Sequence, residues 1–271
     1  MCFKRIFSVF ILFLLPILLL AQETKQTEYP FNQLRISVTP SLCSRLNVTN
    51  EGGATIFQSS PALGAEATIS YYQRIVKEFG VSLGVGINST AHSYNFSFVP
   101  VVPFPTIPEY KHEIKEKRYE PVGMITVPLA LSMIIPIKSS SWNIDIQAGA
   151  KFNYLFDAGA EKLIYDYWWK DAGNPFPPTD AAAKEKSFYW VEEQKDKQVL
   201  FSYFLKAGAT YTTKRNNGYF VNIVANYSPQ IASEGSYLLR AIGGDSYGSF
   251  KKNINYLGLE VGYALTLCKN R

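Results

Sequence analysis

Seven charged side chains sit on the polar row of otherwise alternating apolar stretches: Arg35, Arg45, Glu66, Asp145, Lys151, Lys206 and Glu260. A charge in a narrow, poorly hydrated interior costs several kcal/mol unless it meets an opposite charge or hydrogen bonds. The seven are therefore expected to form an ion-pair network that fills such an interior. Those near the ends of their stretches have water as the alternative, Arg45 above all.

Acid–base catalysis has few candidates. The only histidines are His92 and His112. Ser89 and Ser93 lie close to His92 in sequence, but no acid is placed to orient the ring, so no nucleophile–base–acid set is expected. No cysteine or histidine spacing suits zinc. Gly243-Gly244-Asp245 lacks the spacing and helix of a phosphate-binding loop and reads as a turn. The expectation is a non-enzyme with no catalytic, cofactor-binding or metal-binding residue.

The elements that must position the charges show best in residues 142–156. Trp142, Ile144, Ile146, Ala148, Ala150, Phe152, Tyr154 and Phe156 alternate with Asn143, Asp145, Gln147, Gly149, Lys151 and Asn153. Period two means a β-strand with one apolar and one polar face. The stretch far exceeds the usual ~5–6 residues and meets the ~9–11 that a tilted strand needs to cross a bilayer. The same alternation recurs over 34–46, 63–74, 79–92, 119–137, 199–211, 219–227 and 257–267.

The connections alternate in length. Those at 75–78, 138–141 and 212–218 are short, and the last holds Asn217-Gly218, a hairpin-turn signal. Those after the first, third, fifth and seventh strands are long. In bacterial outer-membrane barrels short turns face the periplasm and long loops face outward. Aromatics at interfaces should then cluster at strand ends. Tyr71, Phe79, Trp142, Tyr211, Tyr219 and Tyr263 fall near the short-turn ends, and Tyr154, Phe156 and Tyr227 near the other. Together these features predict an all-β fold: an eight-stranded antiparallel up-and-down transmembrane β-barrel with short periplasmic turns and four long extracellular loops. The competing architecture is a soluble sandwich or lipocalin-like barrel, whose apolar faces point inward.

The N-terminus reads as a signal peptide over 1–21, with Lys4 and Arg5 before an apolar run and Ala21 placed for cleavage. Residues 22–271 then form the barrel domain, in the bacterial outer membrane. The net charge of +5 argues for no nucleic-acid partner. Cys43 and Cys268 lie near opposite ends of neighbouring strands, too far apart for a disulfide, and are expected to be free. Among the long loops, 158–198 carries Tyr165, Tyr167, Trp168, Trp169 and Trp190, a candidate surface-binding set. The alternative is a loop that packs its own aromatics as a small cap over the barrel.

Glu120-Pro121-Val122 and Thr126-Val127-Pro128-Leu129 resemble the proline-bearing strand of the OmpA-like outer-membrane β-barrel family of Bacteroidota. The Gly-aromatic runs Ala148–Tyr154, Lys206–Tyr211 and Leu257–Tyr263 are similar to strands of that family, as is the leader ending at Gln22. The chain departs from it in running on to Cys268-Lys269-Asn270-Arg271, where the family commonly ends on an aromatic. The expected role is a structural or interaction scaffold that displays aromatic-rich surface loops, its lumen plugged by ion pairs. Alternatives are a narrow porin-like channel, an accessory of envelope assembly or protein secretion, and a lipid A-modifying enzyme. Expected partners are outer-membrane lipid and a surface ligand or envelope protein.

Overall fold

The computed structural model describes residues 32–53, 57–101, 113–138, 140–156, 161–167, 187–195, 197–214 and 216–267, with the backbone alone over 161–167. The leader expected at 1–21, His112, Trp168, Trp169 and Cys268 lie outside these residues, as do the side chains of Tyr165 and Tyr167.

The described chain is all β. In order the strands are β1 (Asn32–Cys43), β2 (Asn47–Gly52), β3 (Gln58–Ser60), β4 (Ala62–Val76), β5 (Phe79–Phe98), β6 (Ile114–Pro136), β7 (Trp142–Leu155), β8 (Glu161–Tyr167), β9 (Ser187–Gln194), β10 (Val199–Thr212), β11 (Gly218–Tyr227), β12 (Ile231–Leu239), β13 (Ser246–Asn253) and β14 (Tyr256–Thr266). Eight of them follow one another as β5-β4-β1-β14-β11-β10-β7-β6, and β6 pairs back onto β5 to close a ring. Every pairing in the ring is antiparallel. Closure leaves no strand edge with unpaired N–H and C=O groups.

All eight strands read from the alternation are present in this ring, with one systematic difference in length. β5 and β6 run past the ring at the end of the long connections, to Phe98 and from Ile114. The hairpin after β10 also differs in detail. Its left-handed residue is Asn216, at φ 63°, while Gly218 already belongs to β11.

Within the ring the two rows of each strand separate cleanly. On β11, Phe220, Asn222, Val224 and Asn226 are buried, while Tyr219, Val221, Ile223 and Tyr227 are exposed. On β1 the buried row is Gln33, Arg35, Ser37, Thr39 and Ser41, against exposed Ile36, Val38 and Leu42. The apolar row therefore faces away from the centre and the polar row faces in. Phe220 and Phe204 break the polar row, and each lies over a glycine. A Cβ on Gly262 would stand 2.3 Å from the Phe220 ring, and one on Gly149 would stand 2.9 Å from the Phe204 ring.

β5 reverses this arrangement along its own length. From Phe79 to Ile87 its apolar residues occupy the outward row. From Tyr94 to Phe98 they occupy the inward row, and Asn95 and Ser97 face out. The switch occurs at Ala91–His92, both fully buried. Beyond it the inward rings pack into a second core with Leu46, Phe57, Phe188, Tyr237, Leu239 and Phe250. Phe57 stacks on Tyr94 and Tyr237 at 4.9 and 4.4 Å between centroids.

The other face of that core is a second antiparallel sheet, ordered β2-β13-β12-β9-β8 and built wholly from the long connections. Phe188 and Tyr189 of the long connection after β7 are buried there, and Trp190 is half-buried. Cys43 is a free, buried thiol whose Sγ accepts from the Ala91 N–H at 3.4 Å.

Candidate functional site

β7 sets the order of charges along the ring's interior. Its inward row carries Asp145, Gln147 and Lys151 in turn. Nearest the short hairpins, Arg35 Nη1 lies 2.9 Å from Asp145 Oδ2. Thr210 Oγ1 donates to the same oxygen at 3.3 Å, and Gln147 Nε2 reaches Oδ1 at 3.2 Å. The guanidinium of Arg35 also lies 4.9 Å from the Tyr72 ring centre and 5.4 Å from that of Phe220. An aromatic face attracts a cation and helps replace the water it has lost.

Gln147 stands opposite Lys206 of β10. Lys206 Nζ donates to Glu260 Oε1 at 2.5 Å. Ser37 Oγ donates to Oε1 at 3.0 Å, and Asn222 Nδ2 to Oε2 at 2.8 Å. Further along, Lys151 Nζ donates to both oxygens of Glu66, at 2.7 and 2.5 Å, and to Tyr256 Oη at 2.6 Å. Tyr256 donates in turn to Glu66. Phe204 lies between the upper two pairs, 5.2 Å from Lys151 Nζ and 5.3 Å from Lys206 Nζ. Past Lys151, Val122, Met124, Leu155 and Leu200 pack with Ala232 and Ile254, and buried Asn88, Thr90, Thr126 and Asn153 share that level.

The structure thus brings six of the seven charged candidates together as three buried pairs, each a cation with an anion. Arg45 is the exception, and it takes the alternative expected of a charge near the end of its stretch. β1 ends at Cys43, so the alternation that would have turned Arg45 inward has lapsed, and its side chain is exposed. The partners absent from the sequence reading are Tyr256, Phe204 and Phe220. An aromatic on the polar row, opposite a glycine on the next strand, was the available signal for the two phenylalanines.

His92 needs a correction. An acid does lie beside it: Glu193 Oε2 of β9 is 3.6 Å from His92 Nε2. The two residues are joined only through the second sheet, which local sequence does not reveal. Neither serine completes a catalytic set. Ser89 and Ser93 belong to the opposite row of β5, and Ser93 Oγ is bonded to Ser60 Oγ at 2.7 Å. His92 is fully buried. Glu193 is buried as well, which alone would raise its pKa, but the His92 ring and the Ser233 hydroxyl hold its carboxyl below the usual range. Among the described residues no cluster of His, Cys, Asp and Glu suits a metal ion.

No protein-family profile and no curated protein sequence matches the chain. Solved structures do. The chain is similar to the outer membrane protein OprG from Pseudomonas aeruginosa, at 9% identity and TM-score 0.44, over 88% of this chain and 98% of that one. It is similar to a major outer membrane protein from Thermus thermophilus, at 12% identity and TM-score 0.37, over 86% and 98%. It is also similar to the transport unit of the autotransporter AIDA-I from Escherichia coli, at 6% identity and TM-score 0.24, over 95% and 97%. At these values no residue correspondence carries over.

Two measurements follow from the geometry. Lys151→Met strands Glu66 in the interior without its cation, so the unfolding free energy should fall by about 3–5 kcal/mol. Adding Glu66→Gln should recover most of that loss, and urea titrations of the refolded protein read both values. The second concerns Lys252 of β13, whose Nζ donates to the Ser44 carbonyl. Burial pulls its pKa down to about 8, against the opposing pull of Cys43 and Glu193. A lysine lowered in the folded state binds its proton more tightly when unfolded. Stability should therefore rise as pH climbs from about 8 towards the ordinary ~10.4, by about 1–3 kcal/mol, and Lys252→Met should flatten the rise.

Proposed function

We propose that this chain is a bacterial outer-membrane protein, an eight-stranded transmembrane barrel that serves as a structural or interaction scaffold. The observation that carries the reading is the reversal along β5. Over Phe79–Ile87 the apolar row faces outward, and beyond His92 it faces inward. A strand wholly in water keeps its apolar row on one side, towards the core. A change of surroundings from oil to water, part-way along the strand, accounts for the switch.

The outward apolar stretch has the right height. Nine residues span ~27 Å of strand, or about 20 Å once tilted by ~40°, against a lipid-facing band of ~25 Å. Aromatics mark its boundaries. Trp142, Tyr211, Tyr219 and Tyr263 are register partners on consecutive strands, with Trp142–Tyr211 and Tyr219–Tyr263 ring centres at 5.3 and 5.0 Å. That row lies at the short-hairpin end. Phe152 meets Phe201 at 4.5 Å towards the other. Rings with polar edges favour the membrane–water interface. In this orientation the short hairpins face the periplasm and the second sheet stands at the cell surface.

The interior reads as a plug. Eight strands enclose a space just wide enough for side chains to fill. Three ion pairs and the packed layer of mixed apolar and polar side chains above them occupy it. We assign the chain no catalytic role, since His92 is sealed from solvent and the serines near it face the other way.

Ile223→Arg tests the membrane reading. At 61% exposed, Ile223 would tolerate arginine in water with little change. Facing lipid near mid-bilayer, the same substitution should cost about 2–4 kcal/mol in folding into vesicles. A neutral effect in vesicles would exclude the proposed orientation. The plug is tested separately by liposome swelling: no sugar should enter, and swelling at porin-like rates would refute it.

A further inference from the structure

Arg45, left out of the interior network, stands at a defined level of the molecule. The last outward apolar residues at the long-connection ends of β1 and β4 are Leu42 and Leu63, register partners that are 51% and 71% exposed. Arg45 follows Leu42 by three positions, just above this apolar rim. On the membrane reading proposed above, that is the level of the outer-leaflet headgroups.

A groove of about 610 Å³ opens there, lined by Arg45, Asn47, Thr49, Gln58 and Ser59 together with apolar Leu46 and Val48, with no carboxylate among the described lining residues. It runs between two strand edges. Among the described strands, β2 ends the second sheet, bonded to β13, and β3 ends its own row, bonded to β5. A second cation is close: Lys251 of β13 is the register partner of Asn47, exposed and 4.0 Å from Glu234. Ser59 is already engaged, accepting from the Leu46 N–H and donating to the Ser93 carbonyl. The groove therefore offers a guanidinium, two side-chain amides and the Thr49 hydroxyl, directly over an exposed leucine pair.

Each part suits one piece of an amphiphile. A guanidinium presents parallel N–H donors that match two oxygens of a phosphate. The amides of Asn47 and Gln58 can donate to remaining phosphate oxygens or to sugar hydroxyls. Acyl chains descending from the headgroup would lie along Leu42 and Leu63. We infer that the groove beside Arg45 binds the phosphate-bearing headgroup of an outer-leaflet lipid, with Arg45 as the principal phosphate contact. The inference rests on the membrane reading, and its test separates the two.

The full chain and its Arg45→Ala, Arg45→Lys and Gln58→Ala variants are refolded into phosphatidylcholine vesicles containing lipid A, either phosphorylated or dephosphorylated. Insertion is scored first, and lipid A retained per protein is then counted by mass spectrometry after extraction. The wild type should retain phosphorylated lipid A at least about tenfold better than Arg45→Ala does. It should show the same preference over dephosphorylated lipid. Arg45→Lys and Gln58→Ala should fall between. Equal retention by wild type and Arg45→Ala, or equal retention of the two lipids, would overturn the site while leaving the membrane reading intact. Displacement by an equal concentration of inorganic phosphate would assign the groove to a soluble anion instead and overturn the lipid. If Arg45→Ala fails to insert, Gln58→Ala decides, and undiminished retention there overturns the site. A wild type that enters no vesicle removes the membrane reading and the site with it.

Discussion

A carboxylate enclosed by eight paired strands has neither water nor a spare backbone donor to turn to, because each ring N–H is directed at the neighbouring strand. The cost of leaving it alone is met here by side chains only. Asp145, Glu66 and Glu260 each take one cation and at least one neutral donor. The cations need more than their carboxylates, and aromatic faces supply it: Tyr72 and Phe220 for Arg35, Phe204 for both lysines. Those rings in turn require the absence of a side chain on the strand beside them, which is why glycine stands at 149 and 262. Charge, ring and glycine form one packing unit, and the narrowness of the interior sets all of it.

The same unit explains what could be read in the sequence. Alternation in a strand is local, so the eight ring strands and the inward placement of Arg35, Glu66, Asp145, Lys151, Lys206 and Glu260 were all legible. Which cation meets which anion was not. Arg35 and Asp145 lie 110 positions apart, and their meeting depends on ring closure and register. Arg45 took the alternative its place near a strand end suggested, and it reaches water because β1 stops at Cys43. The turn at Asn216 shifted by one residue: a dipeptide preference gives the neighbourhood of a hairpin better than its phase.

The second sheet was legible only as a cap of self-packed loop aromatics, and its strands were hidden for a different reason. Phe188 and Tyr189 are adjacent and both buried, which spoils the period-two signal of β9. β5 appeared to end at His92 because its apolar row changes sides there, although the alternation itself continues through Tyr94, Phe96 and Phe98. A reversal of parity within one strand is thus informative by itself. It marks a boundary between two surroundings as clearly as a break in the strand would. Glu193 reaches His92 only across that boundary, so no local reading near His92 could have supplied it.

The pairing of β1 with β14 has a bearing on assembly. Gln33 is the partner of Thr266, so the cylinder's final seam joins residues near the two extremes of the described chain. Contacts this distant in sequence form late, because the chain between them must be ordered or confined before they bring any gain. Until that seam zips, both strands offer bare, sticky margins, and Arg35 has only one of its flanking strands in place. An escort that shields the growing sheet until its last strand arrives would therefore be more useful to this molecule than one that merely speeds its early hairpins.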